Sequence, residues 1–239
     1  MPEAAPDVVT DLAPGGVLRA ALNLNNPVLV QGTPAAPTGV TVDIAREIAT
    51  RLGVAVKFSC FAGALDSFEA IVAGRADVCF LAVEPARAAE IAFTAPYTLI
   101  EGVYAVPVGS PLGTVADVDS AGVRIGVKLG SAYDLFLSRT LREATVVRGT
   151  EGTTAFINGS LDAAAGVREP MTEFVAAHPG YRLIPGRFME IPQAVGIPKS
   201  RRAESARFLH QLVEELKAAG FVADSLRRSG QAVTVAPPA

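Results

Sequence analysis

IVAGRADVCFLAVEPARAAEIAFTAPY, residues 71–97, contains a helix end, a buried strand and a second extended run within one short stretch. Gly74 is placed to end the helix. Residues 77–82 are apolar on both faces, which is typical of a strand buried inside a parallel sheet. This alternation of helix and strand predicts an α/β fold with a parallel, doubly wound sheet.

The same alternation extends in both directions from this stretch. Asp43 is expected to cap a helix that ends at Gly53, and Asp66 with Glu69 resembles a capping box for the next helix. Ser131 is expected to open a further helix. Extended runs are predicted at residues 17–22, 54–59, 123–127, 145–147, 161–165 and 181–184, and helices at 132–142, 153–158, around Pro170 and at 203–220.

Two extended segments divide this pattern into two lobes. Residues 104–108, which contain Pro107, are expected to cross from the first lobe to the second, and residues 193–197 to cross back. Lobe 1 is therefore predicted at residues 1–107 with 193–239, and lobe 2, inserted, at 108–192. Residues after Gly230 are expected to form a loose tail.

Composition and charge exclude several classes of function. Of the 239 residues, 50% are hydrophobic and the net charge is only −3, so the chain is globular and lacks the basic footprint of a nucleic-acid-binding protein. No apolar run reaches the length of a membrane helix, which leaves the chain peripheral to a membrane at most. Residues 1–12 lack a secretory signal pattern, so the chain is expected to be cytoplasmic or a mature form with an added Met.

The cysteines and histidines indicate neither a disulfide nor a metal or other cofactor. Cys60 and Cys79 each end a predicted strand, and one strand lies between them. Two strand spacings separate their Cα atoms by about 9–10 Å, whereas a disulfide tolerates at most about 7 Å between Cα atoms. We therefore expect two free, mostly buried thiols. His178 and His210 have no spaced Ser, Cys or His partner, and the glycines of residues 122–130 do not form a nucleotide-binding motif.

Four segments together resemble the family 3 extracellular solute-binding proteins, the amino-acid-type receptors of ABC importers. The third is the most specific, because it combines GRADV, PAR and EIAFTAPY at one spacing. The segments are VLRAALN (17–23), GVTVDIAREIATRLGVAVKF (39–58), the opening stretch (71–97) and VRIGVKLGSAYDLFL (123–137).

The resemblance implies a two-lobed periplasmic-binding-protein-like fold of type II. Each lobe would be a mostly parallel sheet flanked by helices, and two extended hinge crossings would join them. It also implies a non-enzymatic monomer that captures a small anionic organic solute by hinge closure and presents it to the permease of an ABC importer. Its location would be periplasmic or otherwise exported.

Arg87 matches a family position that holds the ligand, and Ser131 is read both as an anion site and as a plain helix N-cap. Arg87 corresponds to the arginine that grips the ligand α-carboxylate, for which a guanidinium supplies a rigid two-pronged donor. Ser131 lies where free backbone amides, the helix dipole and a hydroxyl converge, which favours an anion. Tyr133 either reaches the ligand or belongs to the core. Asn25 and Asn26 either line the pocket or form a turn.

Several departures from the family pattern concern the ligand amine. Phe80 and Ala82 replace the usual Ser or Thr before the arginine, Asn23 replaces an Asp, and Val167 stands where the family Asp binds the α-ammonium. An ammonium buried without an acidic partner is costly. We therefore expect a carboxylate that lacks the amine, such as a keto, hydroxy or aromatic acid.

Four other side chains each have two possible roles. Arg168 either adds a second cation, which would favour a dicarboxylate, or is an exposed residue paired with Glu169. Glu84 either holds Arg87 in place or contacts a ligand hydroxyl. Phe61 either forms an apolar wall with Phe80 or belongs to the core, and Gln193 either reaches the ligand from the return crossing or does not.

Two other functions compete with a transport receptor. A dehydratase of cyclic acids on the same scaffold would need a general acid near the bound carboxylate. The candidates are Glu84, Glu101, Glu169 and Glu190, each of which is also readily explained as a structural or solvated residue. The other alternative is a cytoplasmic ligand sensor with the same cleft.

Overall fold

A computed structural model of the chain describes residues 4–239, so the first three residues of predicted lobe 1 lie outside the described part. Its helices are α1 Pro6–Leu12, α2 Val40–Leu52, α3 Ala64–Val72, α4 Pro85–Ala88, α5 Ala132–Thr140, α6 Gly152–Asn158, α7 Arg168–Ala177, α8 Ala203–Ala218 and α9 Phe221–Arg228, with a 3₁₀ turn at Ala116–Val118. Its strands are β1 Val17–Asn23, β2 Gln31–Thr33, β3 Ala36–Thr38, β4 Ala55–Phe61, β5 Val78–Ala82, β6 Ile91–Pro107, β7 Arg124–Lys128, β8 Thr145–Gly149, β9 Ala163–Val167, β10 Tyr181–Leu183, β11 Met189–Pro198 and β12 Thr234–Val235.

The chain forms two compact units. Unit 1 comprises Met1–Leu99 and Pro192–Ala239, and unit 2 comprises Ile100–Ile191. The first boundary lies earlier than the sequence places it, inside β6, which runs on to Pro107 without a break. Pro107 thus ends a strand that has already entered unit 2. The return boundary lies inside β11.

The sheet of unit 1 contains a parallel core. β1 pairs in parallel with β4 on one side and with β5 on the other, and β11 adds to β5 in antiparallel orientation. Beneath β5, Cys79 and Leu81 pack with Ile71 of α3 in an apolar cluster. This mostly parallel, helix-flanked arrangement confirms the predicted fold class.

The sheet of unit 2 has the same character. β7 pairs in parallel with β8 and with β9, while the second half of β6 runs antiparallel to β9 and also to β10. Because α6 approaches β7 closely, a Cβ built on Gly126 would lie 2.5 Å from the carbonyl oxygen of Gly152.

Two predicted helix starts were wrong. α2 begins after Gly39, so Asp43 lies within its first turn and does not cap it; its carboxylate instead accepts a hydrogen bond of 2.6 Å from the Ser225 hydroxyl. α3 begins after Gly63 without a side-chain cap, so Asp66 and Glu69 form no capping box. The predicted end of α2 is confirmed, since Gly53 adopts the left-handed conformation with φ of 68°.

The end of the chain is more ordered than its sequence predicts. A separate helix, α9, follows α8, and the expected loose tail contains β12, which pairs with β6 at Thr98 and Leu99. The Thr98 hydroxyl also donates to the Thr234 carbonyl at 2.7 Å. These contacts join residues more than a hundred positions apart, which local sequence patterns do not reveal.

Within residues 4–239, no helix is both long and apolar enough to cross a membrane. Cys60 and Cys79 are both free, as predicted, with β1 between their strands. Cys79 is fully buried, whereas Cys60 is only partly so.

Candidate functional site

One edge of the unit 1 sheet brings Arg87 together with the strand ends that carry other candidate site residues of this unit. Because β1, β4 and β5 are parallel, their carboxyl ends lie at the same edge, where ligands bind in sheets of this kind. Asn23 ends β1 and Ala82 ends β5. A two-residue link then leads from β5 into α4, whose first residue is Pro85 and which carries Arg87.

Arg87 is buried, with only 3% of its surface exposed. Its backbone amide donates to the Glu84 carbonyl at 3.0 Å, and its guanidinium Nη1 donates to the Ala82 carbonyl at 3.3 Å. Burial lowers the pKa of Arg87 to about 10, against the opposing effect of the Glu84 charge. The side chain therefore remains cationic at neutral pH, in surroundings where a charge–charge contact is strong.

Glu84 occupies the residue before α4 and is as buried as Arg87. Its carbonyl accepts hydrogen bonds from the amides of Arg87 and Ala88, which fixes the short helix. Its carboxylate raises the pKa of Arg87. Of the two readings of Glu84, this geometry favours the one in which it holds Arg87 in place.

The end of β5 carries apolar side chains where the family usually has the hydroxyls of Ser or Thr. Phe80 is buried and meets the ring of Tyr97 edge-on, with 6.4 Å between ring centroids. Ala82 lies opposite Gln193 of β11, and both are buried. Phe61, at the end of β4, packs against the apolar cluster around Cys79, which favours its core reading.

The loop after β1 combines a turn with an unpaired acceptor. The Asn23 side-chain oxygen accepts from the Asn25 amide at 3.1 Å, as an Asn in a turn does. The Asn26 side-chain oxygen Oδ1 is buried and has no hydrogen-bond partner among the described residues. Since buried acceptors are nearly always satisfied, this oxygen is suited to a water or ligand donor.

Three helices of unit 2 begin at the carboxyl edge of its sheet. α5, α6 and α7 follow β7, β8 and β9, respectively, after short links or none. Ser131 is the predicted N-cap of α5: its hydroxyl accepts from the Asp134 amide at 3.0 Å, and Asp134 in turn accepts from the Gly130 amide at 2.9 Å. Tyr133 is almost fully buried, and burial raises its pKa to about 12.

Arg168 begins α7, and its acidic partner is Glu101; of its two readings, the structure therefore does not favour the pairing with Glu169. Its Nε contacts the Glu101 carboxylate, and its Nη2 donates to the Gly186 carbonyl at 2.7 Å. Glu101 also accepts from Arg187 at 2.9 Å. Hydrogen bonding from Arg168, and then from Arg187, holds the pKa of Glu101 below its usual value. Sequence spacing misses this pair because β6 and α7 are distant in the chain.

The start of α7 also contains an unpaired carboxyl oxygen. Val167 ends β9 opposite Gly102 of β6 and is partly buried. Two residues later, the Glu169 oxygen Oε2 is buried without a hydrogen-bond partner in the described chain, and burial raises the pKa of this side chain. Glu190, another sequence-predicted candidate acid, is paired with Arg187 at 2.6 Å.

One ion pair in these regions was not predicted from the sequence. Lys128, the last residue of β7, forms an ion pair of 2.8 Å with Glu151, which precedes α6. Their positions at a strand end and a helix start are the signal that could have revealed them. Within residues 4–239, no three His, Cys, Asp or Glu side chains are grouped as metal ligands.

Comparison with known proteins identifies the family. A model of the bacterial extracellular solute-binding proteins, family 3, matches residues 18–228. No curated protein sequence matches the chain.

Solved structures show the same fold at low identity. A mutant of ArgBP from T. maritima has a TM-score of 0.75 and 23% identity, covering 93% of this chain and 99% of that one. AbpA from Streptococcus pneumoniae, bound to L-arginine, has a TM-score of 0.75 and 19% identity, covering 91% and 96%. AncCDT-1, an ancestral amino-acid-binding precursor of cyclohexadienyl dehydratase, has a TM-score of 0.74 and 19% identity, covering 93% of this chain and 98% of that one. Since the family model spans most of its length, the chain belongs to the bacterial extracellular solute-binding proteins, family 3.

Proposed function

We propose that this solute-binding protein captures a small organic acid that lacks an α-amino group. The family supplies the general role, a receptor for a small solute that serves an ABC transporter. The observation that carries the finer proposal is the buried, cationic Arg87 that follows β5, combined with the apolar Phe80 and Ala82 of that strand. A carboxylate would gain a strong partner there, whereas an ammonium group would not.

The acidic side chains of unit 2 support this proposal, because their charges are already engaged. Glu151 is paired with Lys128 at 2.8 Å, and Asp134 with Arg148 at 3.0 Å. Glu101 is shared by two arginines. Burial disfavours the ionised form of Glu169, which is the form that an ammonium group would require.

Within unit 2, Ser131 and its neighbouring amides are proposed as donors to an acid group. Asn26, with its unpaired Oδ1, is proposed to accept from a ligand hydroxyl or a bound water. The hinge closure, the exported location and the contact with a transporter permease that the resemblance implies stay predictions. They are attributed to this chain through its family alone.

A dehydratase activity is the second candidate, and one observation favours it. Glu169 combines a buried, unpaired carboxyl oxygen with a raised pKa, which are the properties of a general acid. AncCDT-1 is described as both an amino-acid-binding protein and a precursor of cyclohexadienyl dehydratase. The apolar end of β5 and the engaged carboxylates leave solute capture as the better-supported function.

A thermal-shift panel tests the ligand class directly. L-Phenylalanine, L-arginine and L-lysine are compared with deaminated analogues such as phenylpyruvate, phenyllactate and 2-oxopentanoate. A ligand at 100 times its Kd should add about 2.7 kcal/mol of stability. We expect stabilisation by the analogues and none by the amino acids.

Substitution of Arg87 links any binding to the proposed site. Arg87→Gln should weaken binding by at least about a hundredfold, because it leaves a buried carboxylate without its partner. Arg75→Gln, an exposed site in the same unit, is the matched control and should bind as the wild type does. Circular dichroism verifies that both variants are folded.

The opposite pattern would reject the ligand proposal. Stabilisation by arginine or lysine, and not by the analogues, means that an ammonium is accommodated after all. Incubation of each hit followed by mass spectrometry separates the two candidate functions, since loss of water from a cyclic acid would establish a dehydratase.

A further inference from the structure

We infer that the side-chain amide of Gln193 binds an oxygen on the carbon next to the ligand's acid group, so that the ligand is a 2-oxo or 2-hydroxy acid. This inference rests on the proposed function, which supplies an organic acid held by Arg87. It goes further by narrowing the ligand class and by assigning a specificity role to a second residue of unit 1.

Gln193 lies beside the end of β5, in the same unit as Arg87. β11 runs antiparallel to β5, and Gln193 faces Ala82, the last residue of β5. The Val83 amide donates to the Pro192 carbonyl at 2.9 Å, so the next pair along, Ala82 with Gln193, exchanges no backbone hydrogen bonds. In a pair of this type the Cα atoms are only about 4.5 Å apart and the side chains lie close together.

Ala82 connects Gln193 to Arg87. Its carbonyl oxygen accepts a hydrogen bond from Arg87 Nη1 at 3.3 Å, and its side chain lies beside that of Gln193. That side chain is a single methyl group, which occupies little space at the end of the strand. The guanidinium and the amide thus flank the same small residue, as contacts with one small ligand require.

The Gln193 amide has a partner still to be supplied. Only 5% of the surface of this residue is exposed, and no hydrogen bond joins its side-chain amide to any other residue between 4 and 239. Amides at buried positions are nearly always hydrogen-bonded, because leaving them unpaired away from water is costly. A water molecule or a ligand therefore completes this group.

The neighbours of Gln193 on its face of the sheet are apolar. Side chains alternate along a strand, so the next pair on this face is Phe80 with Val195, and both are buried. An amide adds nothing to the packing of such a face. A single polar group set among apolar side chains is instead the arrangement by which ligand sites fix the orientation of a bound molecule.

The two polar groups suit two different parts of an acid. The Arg87 guanidinium matches the charged carboxylate. The neutral Gln193 amide can both donate and accept, so it pairs with an oxo or a hydroxyl oxygen. A bound acid that lacks this oxygen would exclude water and leave the amide unpaired, and sites built to hydrogen-bond a group discriminate strongly against ligands without it.

Calorimetry with matched acids tests this inference. Phenylpyruvate and phenyllactate are compared with 3-phenylpropionate, which has the same carbon skeleton without the 2-oxygen, and 2-oxopentanoate is compared with pentanoate. The wild type should bind the oxygenated acid of each set at least about tenfold more tightly. Gln193→Met keeps the side-chain length but removes the amide, and it should abolish at least about tenfold of that preference. The affinity for the acids without the oxygen should stay unchanged, whereas a purely structural role would weaken all of them alike.

Gln211→Met is the matched control, because it makes the same exchange at an exposed position of α8 in the same unit. It should keep the wild-type preference. Gln193→Glu is a second variant of nearly identical shape. Its carboxylate would lie beside the bound acid group, and this like-charge contact should weaken binding of the oxygenated acids by at least about tenfold.

The outcomes separate this inference from the proposed function. If the wild type binds acids with and without the 2-oxygen equally well, or if Gln193→Met keeps the preference, the inference is overturned while the organic-acid proposal stands. If the wild type binds none of these acids, the proposed function fails, and the inference with it. Should Gln193→Met not fold, Gln193→Glu decides: a loss of at least about tenfold supports the inference, and unchanged affinity overturns it.

Discussion

Arg87 and Tyr97 show two ways in which unit 1 accommodates a buried polar side chain. Arg87 keeps its charge because the Ala82 carbonyl accepts from it and the Glu84 carboxylate opposes the effect of burial. Tyr97 is fully buried, and its hydroxyl has no hydrogen-bond partner among the described residues. A buried donor in this position destabilises the folded state.

Tyr97→Phe should therefore stabilise the protein, by about 1 kcal/mol, because it removes an unsatisfied hydroxyl and keeps the ring against Phe80. For a chain of this size that corresponds to roughly 2–4 °C in Tm. The adjacent Thr98→Val provides the contrast: it removes a hydrogen bond to Thr234 and should destabilise by about 1–2 kcal/mol. Differential scanning calorimetry measures both, and a fall in Tm for Tyr97→Phe would show that its hydroxyl is bonded.

At the scale of elements, close packing of α6 on β7 positions the carboxyl edge of unit 2. Gly126 of β7 lies under Gly152, the first residue of α6, and also near the Phe156 amide. Only a residue without a Cβ fits between these backbones. This contact brings the start of α6, and with it Glu151, to the end of β7, where Lys128 lies.

Gly126→Ala should push α6 away from β7, because the new Cβ would lie 2.5 Å from a backbone oxygen that cannot move alone. The expected loss of stability is about 1–3 kcal/mol, as for other overpacked sites. Gly109→Ala is the control: no atom lies within 4 Å of its Cβ position, and it should leave stability nearly unchanged. Urea unfolding compares the two, and equal midpoints would mean that α6 is not held as tightly as the geometry indicates.

At the scale of the whole molecule, the chain folds into two units without any covalent cross-link between distant residues. The two cysteines lie in unit 1, both free and separated by one strand. Burial raises the pKa of the Cys79 thiol to about 12, so it is neutral at physiological pH and shielded from reagents. Stability therefore depends on packing and hydrogen bonding in each unit.

Thiol labelling with iodoacetamide should follow this division. The native protein should take up one label, at the partly exposed Cys60, and the urea-unfolded protein two. A reductant should not shift the Tm, since there is no disulfide to break. Cys60→Ser is the control and should abolish native labelling. Prompt uptake of two labels would show that the core around Cys79 opens readily.

The sequence by itself determined the fold class and the family, and it supplied the candidate residues for a carboxylate. Strand and helix periodicity, the left-handed Gly53 and the Ser131 cap depend on residues close together in the chain. Arg87 was likewise proposed as a ligand-binding residue from a compact motif. Local patterns predicted the first residue of a helix less reliably where a glycine precedes it, as Gly39 precedes α2.

Only the tertiary structure decided how the charges of the candidate site are balanced. The partner of Arg168 is Glu101, 67 residues away in the chain, and the nearby Glu169 does not pair with it. The pairing of β12 with β6 was likewise absent from local patterns. The physical reason is common to both: capping and periodicity act over a few residues, whereas ion pairs and strand pairs join whichever residues the fold brings within a few ångströms.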